Sequence, residues 1–145
     1  MFGAESDHID LSNLDLDWLA SDAEGHVALF STTGGELPPD AVLRDLEAQV
    51  RAVELVLHTP PSTRALLAPP NPLEGNVWRA AAERGLFAFR SEGPGGPYRL
   101  EAVPDDPARL FDLPPAVALV AENLCFPQLR FRSIASVTAD VLVAR

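Results

Sequence analysis

Alternating apolar and polar positions near the start of the chain predict a β-hairpin. Apolar residues stand two apart in the first run, at Leu14, Leu16, Trp18 and Ala20. Period-two alternation is typical of a half-buried strand. Residues 26–32 form a second apolar run, and residues 22–25 between them carry a turn sequence that ends in glycine. Because glycine tolerates positive φ, this arrangement favours two strands joined by a tight turn.

The same kind of pattern predicts further strands later in the chain. Residues 86–91 and 98–103 are apolar runs separated by a Gly- and Pro-rich turn at 93–97, which indicates a second hairpin. Residues 129–134 alternate strictly between apolar and polar, and we expect them to form a strand. Residues 137–143 are compatible with either a strand or a terminal helix.

A spacing of three and four residues predicts an amphipathic helix over 40–58. Its expected apolar face is Val42, Leu43, Leu46, Val50, Val53 and Leu57, and its expected polar face is Arg44, Asp45, Glu47, Gln49, Arg51 and Glu54. A second helix is expected over 77–84, between a capping asparagine and a glycine. Residues 116–121 follow a Pro-Pro pair and favour a short buried helix, although their uniform apolarity also permits a strand. Five prolines in 59–75 predict a connection without regular structure.

These elements together predict an α+β fold: a mainly antiparallel sheet of about five strands with two or three helices on one face. The length of 145 residues fits a single domain over 1–145, in which we expect 1–13 to be loosely ordered.

The acidity of the chain is concentrated in its amino-terminal third. The formal net charge is −10, from 21 acidic residues and 11 basic residues, all of which are Arg. Residues 1–43 contain nine acids and no base, hence −9, whereas residues 44–145 contain twelve acids and eleven arginines, hence −1. An unpaired cluster of acids creates a negative field that speeds the docking of a basic partner. The same charge argues against direct nucleic-acid binding, because phosphate contacts require clustered cations.

Composition excludes several classes of protein. The absence of Lys excludes a P-loop lysine and a Schiff-base lysine, and one Cys excludes an internal disulfide and a Cys-rich zinc site. The first residues lack the basic and apolar regions of a signal peptide, and no apolar run reaches the ~20 residues that span a bilayer. We therefore expect a cytoplasmic protein without a membrane partner.

Candidate chemistry in the sequence is sparse. The acids of the first hairpin do not match the register of an EF-hand loop, so no metal site is predicted. His8, His26 and His58 lack the spacing of a metal-binding or catalytic motif, and no Gly-x-Ser-x-Gly sequence is present. The glycines at 34–35 and 93–96 do not fit a phosphate-binding loop. The sequence therefore predicts no catalytic residue, no cofactor and no enzymatic activity.

The segment from Trp18 to Phe30 resembles a hairpin that opens small uncharacterised bacterial proteins of immunity-protein type, written Trp-Phe-Ala-x-Asp-x-x-Gly-x-x-Ala-x-Phe. Further matching segments are Thr-Gly-Gly at 33–35, Pro-Pro at 38–39, Gly-Leu-Phe-Ala-Phe at 85–89, Gly-Pro-Tyr-Arg at 96–99 and Leu-Pro-Pro at 113–115. The departure is Leu19, where an aromatic residue is usual. The resemblance implies a toxin-neutralising function and carries over no catalytic residue. The Lys-free, Arg- and Ala-rich composition indicates a bacterial source of high GC content.

The sequence thus predicts a non-enzymatic cytoplasmic interaction domain, an immunity protein that neutralises a cognate toxin through an acidic surface. The predicted partner is a basic protein such as a toxin domain. The predicted contact residues are Asp15, Asp17, Asp22, Glu24, Glu36 and Asp40. The sequence leaves the oligomeric state open.

Two alternatives from other classes remain. One is a small-molecule-binding or catalytic domain, with a pocket near 59–75 where His58, Arg64 or Arg79 would converge. The other is a structural homo-oligomeric module, which an exposed strip of Phe87, Phe89 or Phe131 would favour.

Overall fold

A mixed β-sheet organises the fold in the computed structural model, which describes residues 16–32, 38–67, 76–91, 93, 97–138 and 141–142. The strands are β1 (Asp17–Asp22), β2 (Val27–Ser31), β3 (Ala65–Leu67), β4 (Phe87–Ser91), β5 (Tyr98–Pro104), β6 (Cys125–Phe126) and β7 (Ser136–Val137). The helices are α1 (Asp40–Arg44), α2 (Leu46–Leu57), α3 (Asn76–Ala82) and α4 (Pro115–Glu122), with 3₁₀ turns at Leu110–Asp112 and Phe131–Ser133. The predicted α+β class is confirmed. The expectation for residues 1–13 lies outside the described residues.

The strands follow the order β3-β5-β4-β2-β1-β6, and β7 pairs with the end of β5 that β3 leaves free. Both predicted hairpins are present as β1–β2 and β4–β5. However, β2 pairs with β4 in parallel, and β6 pairs with β1 in parallel, so the sheet is mixed rather than simply antiparallel. The described residues form seven strands instead of about five because three short strands complete the edges. Strands of two or three residues carry too little alternation to be recognised in a sequence.

The central strands are buried on both faces. Val27 and Leu29 of β2 face the helices, whereas Ala28 and Phe30 face the opposite layer. All five residues of β2 are buried, which explains why its first four residues form a continuous apolar run. The sheet therefore lies between two covering layers.

One covering layer consists of α2, α3 and α4, which pack their small apolar residues against the sheet. This cluster includes Ala52, Val53, Val56, Ala81, Ala82, Val117, Val120 and Ala121. The predicted helix over 40–58 is divided at Asp45. The φ of −133° and ψ of 38° at this residue are not helical, so α1 ends before it and α2 begins after it. The apolar spacing continues across this break, so the sequence gives no sign of it.

The predicted faces of α2 are wrong at two positions. Gln49 is buried and Val50 is partly exposed. Gln49 accepts a hydrogen bond from the Leu19 amide (2.7 Å) and donates one to the Leu19 carbonyl (3.1 Å). Leu19 lies on the edge of β1 beyond the short strand β6, so the Gln49 amide supplies the two hydrogen bonds that a neighbouring strand would make.

The opposite layer is formed by residues 124–138 and 141–142 and by an aromatic core. The Phe30 ring stacks on Trp18 at 4.5 Å and on Phe89 at 5.0 Å, and Phe131 meets Phe30 edge-on at 5.9 Å. The predicted strand over 129–134 is wrong, because this segment contains the second 3₁₀ turn. Leu129 and Phe131 are nevertheless buried between exposed arginines. The alternation of buried and exposed residues in this segment therefore resembles the pattern of a strand, although the segment is not one.

The Pro-rich connection contains the short strand β3, contrary to the expectation of no regular element, and β3 pairs with residues 102–104 of β5. The following helix, α3, ends before Gly85, which adopts a φ of +91° as the sequence predicts for a terminating glycine. The helix predicted over 116–121 is present as α4.

Candidate functional site

A polar cluster lies where the β1–β2 turn contacts residues 124–133. At its centre Asp22 is only 3% exposed. Its Oδ1 accepts hydrogen bonds from the amides of Glu24 and His26 (both 2.9 Å), and its Oδ2 accepts one from the Phe131 amide (2.7 Å). The first two bonds form the turn, and the third joins the turn to the second 3₁₀ turn. Asp22 therefore connects two parts of the chain that are distant in sequence.

Glu24 is held on the rim of this cluster by arginines. Its carboxylate accepts two hydrogen bonds from Arg132, from Nε at 2.8 Å and from Nη2 at 2.9 Å, and Arg130 Nε lies 3.7 Å away. The hydrogen bond from Arg132 lowers the pKa of Glu24, and the same bond raises the pKa of Arg132. Arg130 and Arg132 are thus both close to Glu24, although they do not lie on the strand predicted over 129–134.

His26 completes the cluster from the start of β2. Its side chain is buried, and its ring packs against Phe87 with centroids 5.7 Å apart. The Nδ1 atom lies 3.7 Å from Glu24 Oε1 and 3.9 Å from Asp22 Oδ2, and it makes no hydrogen bond within the described part of the chain. A buried ring nitrogen without a partner is uncommon and marks this point of the cluster as chemically unusual.

The predicted contact residues do not gather on one surface in the part of the chain that the structure describes. Asp22 is buried, and its carboxylate accepts hydrogen bonds from three backbone amides. It is therefore inaccessible to a protein partner and has a structural role instead. Asp17 is half-buried and accepts a hydrogen bond from Ser31 Oγ (2.5 Å). Asp40 is exposed at the start of α1. Asp15 and Glu36 lie outside the described residues.

A second candidate surface lies on the helical layer. We define the helical face as the exposed side chains of α2, of the 3₁₀ turn Leu110–Asp112 and of α4. These three elements are neighbours, because α4 packs against both α2 and this turn. Four of the five large hydrophobic side chains identified as exposed in the described residues belong to it: Val50, Leu55, Phe111 and Leu119. Phe111 is 83% exposed. The fifth, Leu66, lies on β3.

The helical face carries a negative charge. Its ionised side chains are Glu47, Arg51, Glu54, Asp112 and Glu122, hence a formal −3. Arg51 is already paired with Glu47 at 2.7 Å. Apolar side chains surrounded by acids therefore form a surface on which Phe111 is the most prominent group. In the sequence, Phe111 stands between Pro- and Asp-rich residues, but nothing there separates an exposed aromatic from a buried one.

A cleft of about 670 Å³ lies beside the start of the Pro-rich connection, close to where the alternative prediction places a pocket. It is lined by Thr59, Pro60, Ser62, Arg84, Asp106, Pro107, Ala108, Asp112, Leu113 and Pro114. His58, Arg64 and Arg79 are not among the lining residues. Arg64 instead pairs with Asp105, and Arg79 pairs with Glu83.

The strip that would favour homo-oligomerisation is not exposed, because Phe87, Phe89 and Phe131 are all buried. Among the described residues, no helix has both the length and the apolarity to cross a membrane. Comparisons with protein-family models, with curated proteins and with solved structures returned no significant match.

Proposed function

We propose that this protein is a non-enzymatic interaction domain of immunity-protein type, which neutralises a basic toxin by binding it through the helical face. The observation that carries the proposal is the exposure of Phe111 among acidic side chains. Phe111 is 83% exposed and shares this face with the exposed side chains of Val50, Leu55 and Leu119, and exposed apolar side chains grouped on one face commonly mark an interaction site.

The composition of the helical face resembles that of a protein–protein interface. Such interfaces combine a small apolar centre with a polar rim, and aromatic side chains contribute a large share of the binding energy. Phe111 and Leu119 provide apolar groups, and Glu54 and Glu122 are exposed acids on the adjoining helices. A basic partner is the complementary choice, because opposite charges accelerate encounter and discriminate against other partners.

The acidic amino-terminal third supports the same partner through its long-range field. Residues 1–43 carry a formal −9, and Asp40 at their end is exposed on α1. Asp22 is excluded from direct contact by burial, and Glu24 is already paired with arginine. We therefore place direct contact on the helical face and assign attraction over distance to the amino-terminal acids.

The proposal is tested by examining the neighbouring genes for one that encodes a basic, toxin-like protein, and by using that protein as the partner. Co-expression should protect a host cell from that protein, and the purified proteins should form a complex. Glu122→Arg should slow association and flatten its dependence on salt, because the rim charges steer encounter. Asp105→Arg, an exposed acid outside the helical face, is the control and should change association less. Equal effects of both changes would contradict the placement of the contact.

A second candidate function is the binding of a small polar molecule in the cleft. It is supported by the cleft volume of about 670 Å³ and by a lining that places Arg84 with Asp106 and Asp112. A thermal-shift panel of small charged metabolites tests it. A stabilising ligand whose effect disappears in Asp106→Asn supports this function, whereas a panel without any stabilising ligand argues against it.

A further inference from the structure

We infer that Asp22, Glu24 and His26 form a binding site for a divalent first-row transition-metal ion such as Zn²⁺. One imidazole nitrogen and two carboxylate oxygens, one from each residue, lie within 4.8 Å of one another. Imidazole and carboxylate are ligands that such ions accept, and three protein ligands leave a further position for water. The inference is independent of the helical face.

The decisive observation is the His26 ring. Its Nδ1 is buried, makes no hydrogen bond in the described part of the chain, and faces the carboxylates of both acids. Buried polar atoms are normally satisfied, so an unsatisfied nitrogen directed at two carboxylates indicates a missing ligand between them. The sequence prediction of no metal site rested on EF-hand spacing, which does not apply to one imidazole and two acids on a single tight turn.

The two separations from the imidazole nitrogen are close to those of a metal centre, and the two carboxylate oxygens lie within 4.8 Å of each other. Ligand atoms about 2.0–2.2 Å from a tetrahedral ion lie about 3.4 Å apart. The observed distances from His26 Nδ1 are 3.7 Å to Glu24 Oε1 and 3.9 Å to Asp22 Oδ2, so each must shorten by only a few tenths of an ångström.

Asp22 is well oriented for this role. The hydrogen bonds that it accepts from three backbone amides fix the position of the carboxylate. Hydrogen bonds from outer groups orient metal ligands in the same way in other proteins. Its Oδ2 accepts one hydrogen bond, from the Phe131 amide, and an oxygen with two lone pairs can also bind an ion. Glu24 is partly exposed and provides the route by which an ion enters from solvent.

Arg132 sets the strength of the site. It holds the Glu24 carboxylate through two hydrogen bonds, and Arg130 lies nearby, so an ion must compete with these cations for Glu24. We therefore expect removal of Arg132 to tighten metal binding, which is the opposite of what a general loss of structure would produce.

The test uses the full chain and Zn²⁺ alone, with isothermal titration calorimetry and with the Co²⁺ absorption spectrum as a second readout. The wild type should bind one equivalent, and His26→Asn should lose at least about tenfold in affinity. His58→Asn is the matched control, because it removes an exposed histidine at the end of α2, and it should bind like the wild type. Arg132→Gln retains all three ligands and should bind more tightly than the wild type.

Three results would overturn the inference. The first is no saturable Zn²⁺ binding by the wild type. The second is binding that His26→Asn and His58→Asn weaken equally, which would indicate scattered surface coordination. The third is an affinity that Arg132→Gln, verified as folded by circular dichroism, leaves unchanged or weakens.

Discussion

Replacing Asp22 with alanine should destabilise the protein strongly, because one buried carboxylate satisfies three backbone amides. Leaving a buried donor unsatisfied costs about 1–3 kcal/mol, and the turn amides can recover part of this from solvent, so we expect a loss of about 3–5 kcal/mol. A domain of this kind has about 5–15 kcal/mol of total stability, so the loss is a large share of it. The bond to the Phe131 amide is a buried long-range connection between the turn and the second 3₁₀ turn, whereas the connection of Glu24 to Arg132 is exposed.

Urea denaturation followed by tryptophan fluorescence and by circular dichroism measures this effect. Asp22→Ala should lower the midpoint while keeping the slope of the transition close to that of the wild type. Asp40→Ala, an exposed acid at the start of α1, is the control and should remain within about 1 kcal/mol of the wild type. A free energy of unfolding for Asp22→Ala that equals that of Asp40→Ala would refute the structural role of Asp22.

Three further predictions concern other contacts. Gln49→Leu should cost about 1–3 kcal/mol in urea denaturation, because the β1 edge loses a donor and an acceptor; a neutral effect would contradict the strand-like role of this amide. The pKa of Glu24 is lowered in the folded state, so its pairing with Arg132 stabilises the fold at pH values above 4.5, the ordinary pKa of a glutamate. This stabilisation is lost as the pH falls through the lower pKa of the folded state. Stability measured against pH should therefore fall more steeply in acid for the wild type than for Arg132→Gln, and parallel curves would contradict this pairing. Gly85→Ala should lower the melting temperature more than Gly25→Ala. Both glycines have positive φ, but only at Gly85 would the added carbon come within 2.5 Å of another side chain. Equal decreases in the melting temperature would contradict this prediction.

The hairpins were predictable because their alternation and turn glycines act locally. The β1–β2 and β4–β5 pairs follow directly from these signals. The parallel pairing of β2 with β4 depends on how the intervening helices pack, and no local pattern encodes it. Residues 129–134 show the opposite failure, since alternating burial of Leu129 and Phe131 arises from packing against the aromatic core rather than from a ladder of hydrogen bonds.

The positions of polar residues were the hardest to predict. The helical spacing of the apolar residues places Gln49 on the polar face, but the edge of β1 requires its amide. The excess of acids in residues 1–43 places Asp22 on the predicted docking surface, but the Phe131 amide requires its carboxylate. In both cases the partner is a backbone group distant in sequence, so composition and spacing cannot reveal it.

The candidate surfaces were partly predictable. The excess of acids could be located from the sequence, whereas the exposure of Phe111 depends on how the turn at 110–112 lies against α4. The metal-ligand cluster has a sequence signal in retrospect: Asp22, Glu24 and His26 stand two apart across a tight turn. That spacing becomes meaningful only once the turn is known to bring the three side chains together.

The most direct test of the proposed function is the dissociation constant of the complex with the basic toxin, compared between Phe111→Ala and Leu66→Ala. Both changes remove an exposed apolar side chain, but only Phe111 belongs to the helical face. Truncation of an interface anchor typically costs 2 kcal/mol or more, so we expect Phe111→Ala to raise the dissociation constant about thirtyfold and Leu66→Ala to leave it almost unchanged. Equal affinities for the two variants, or a larger loss for Leu66→Ala, would contradict binding through the helical face.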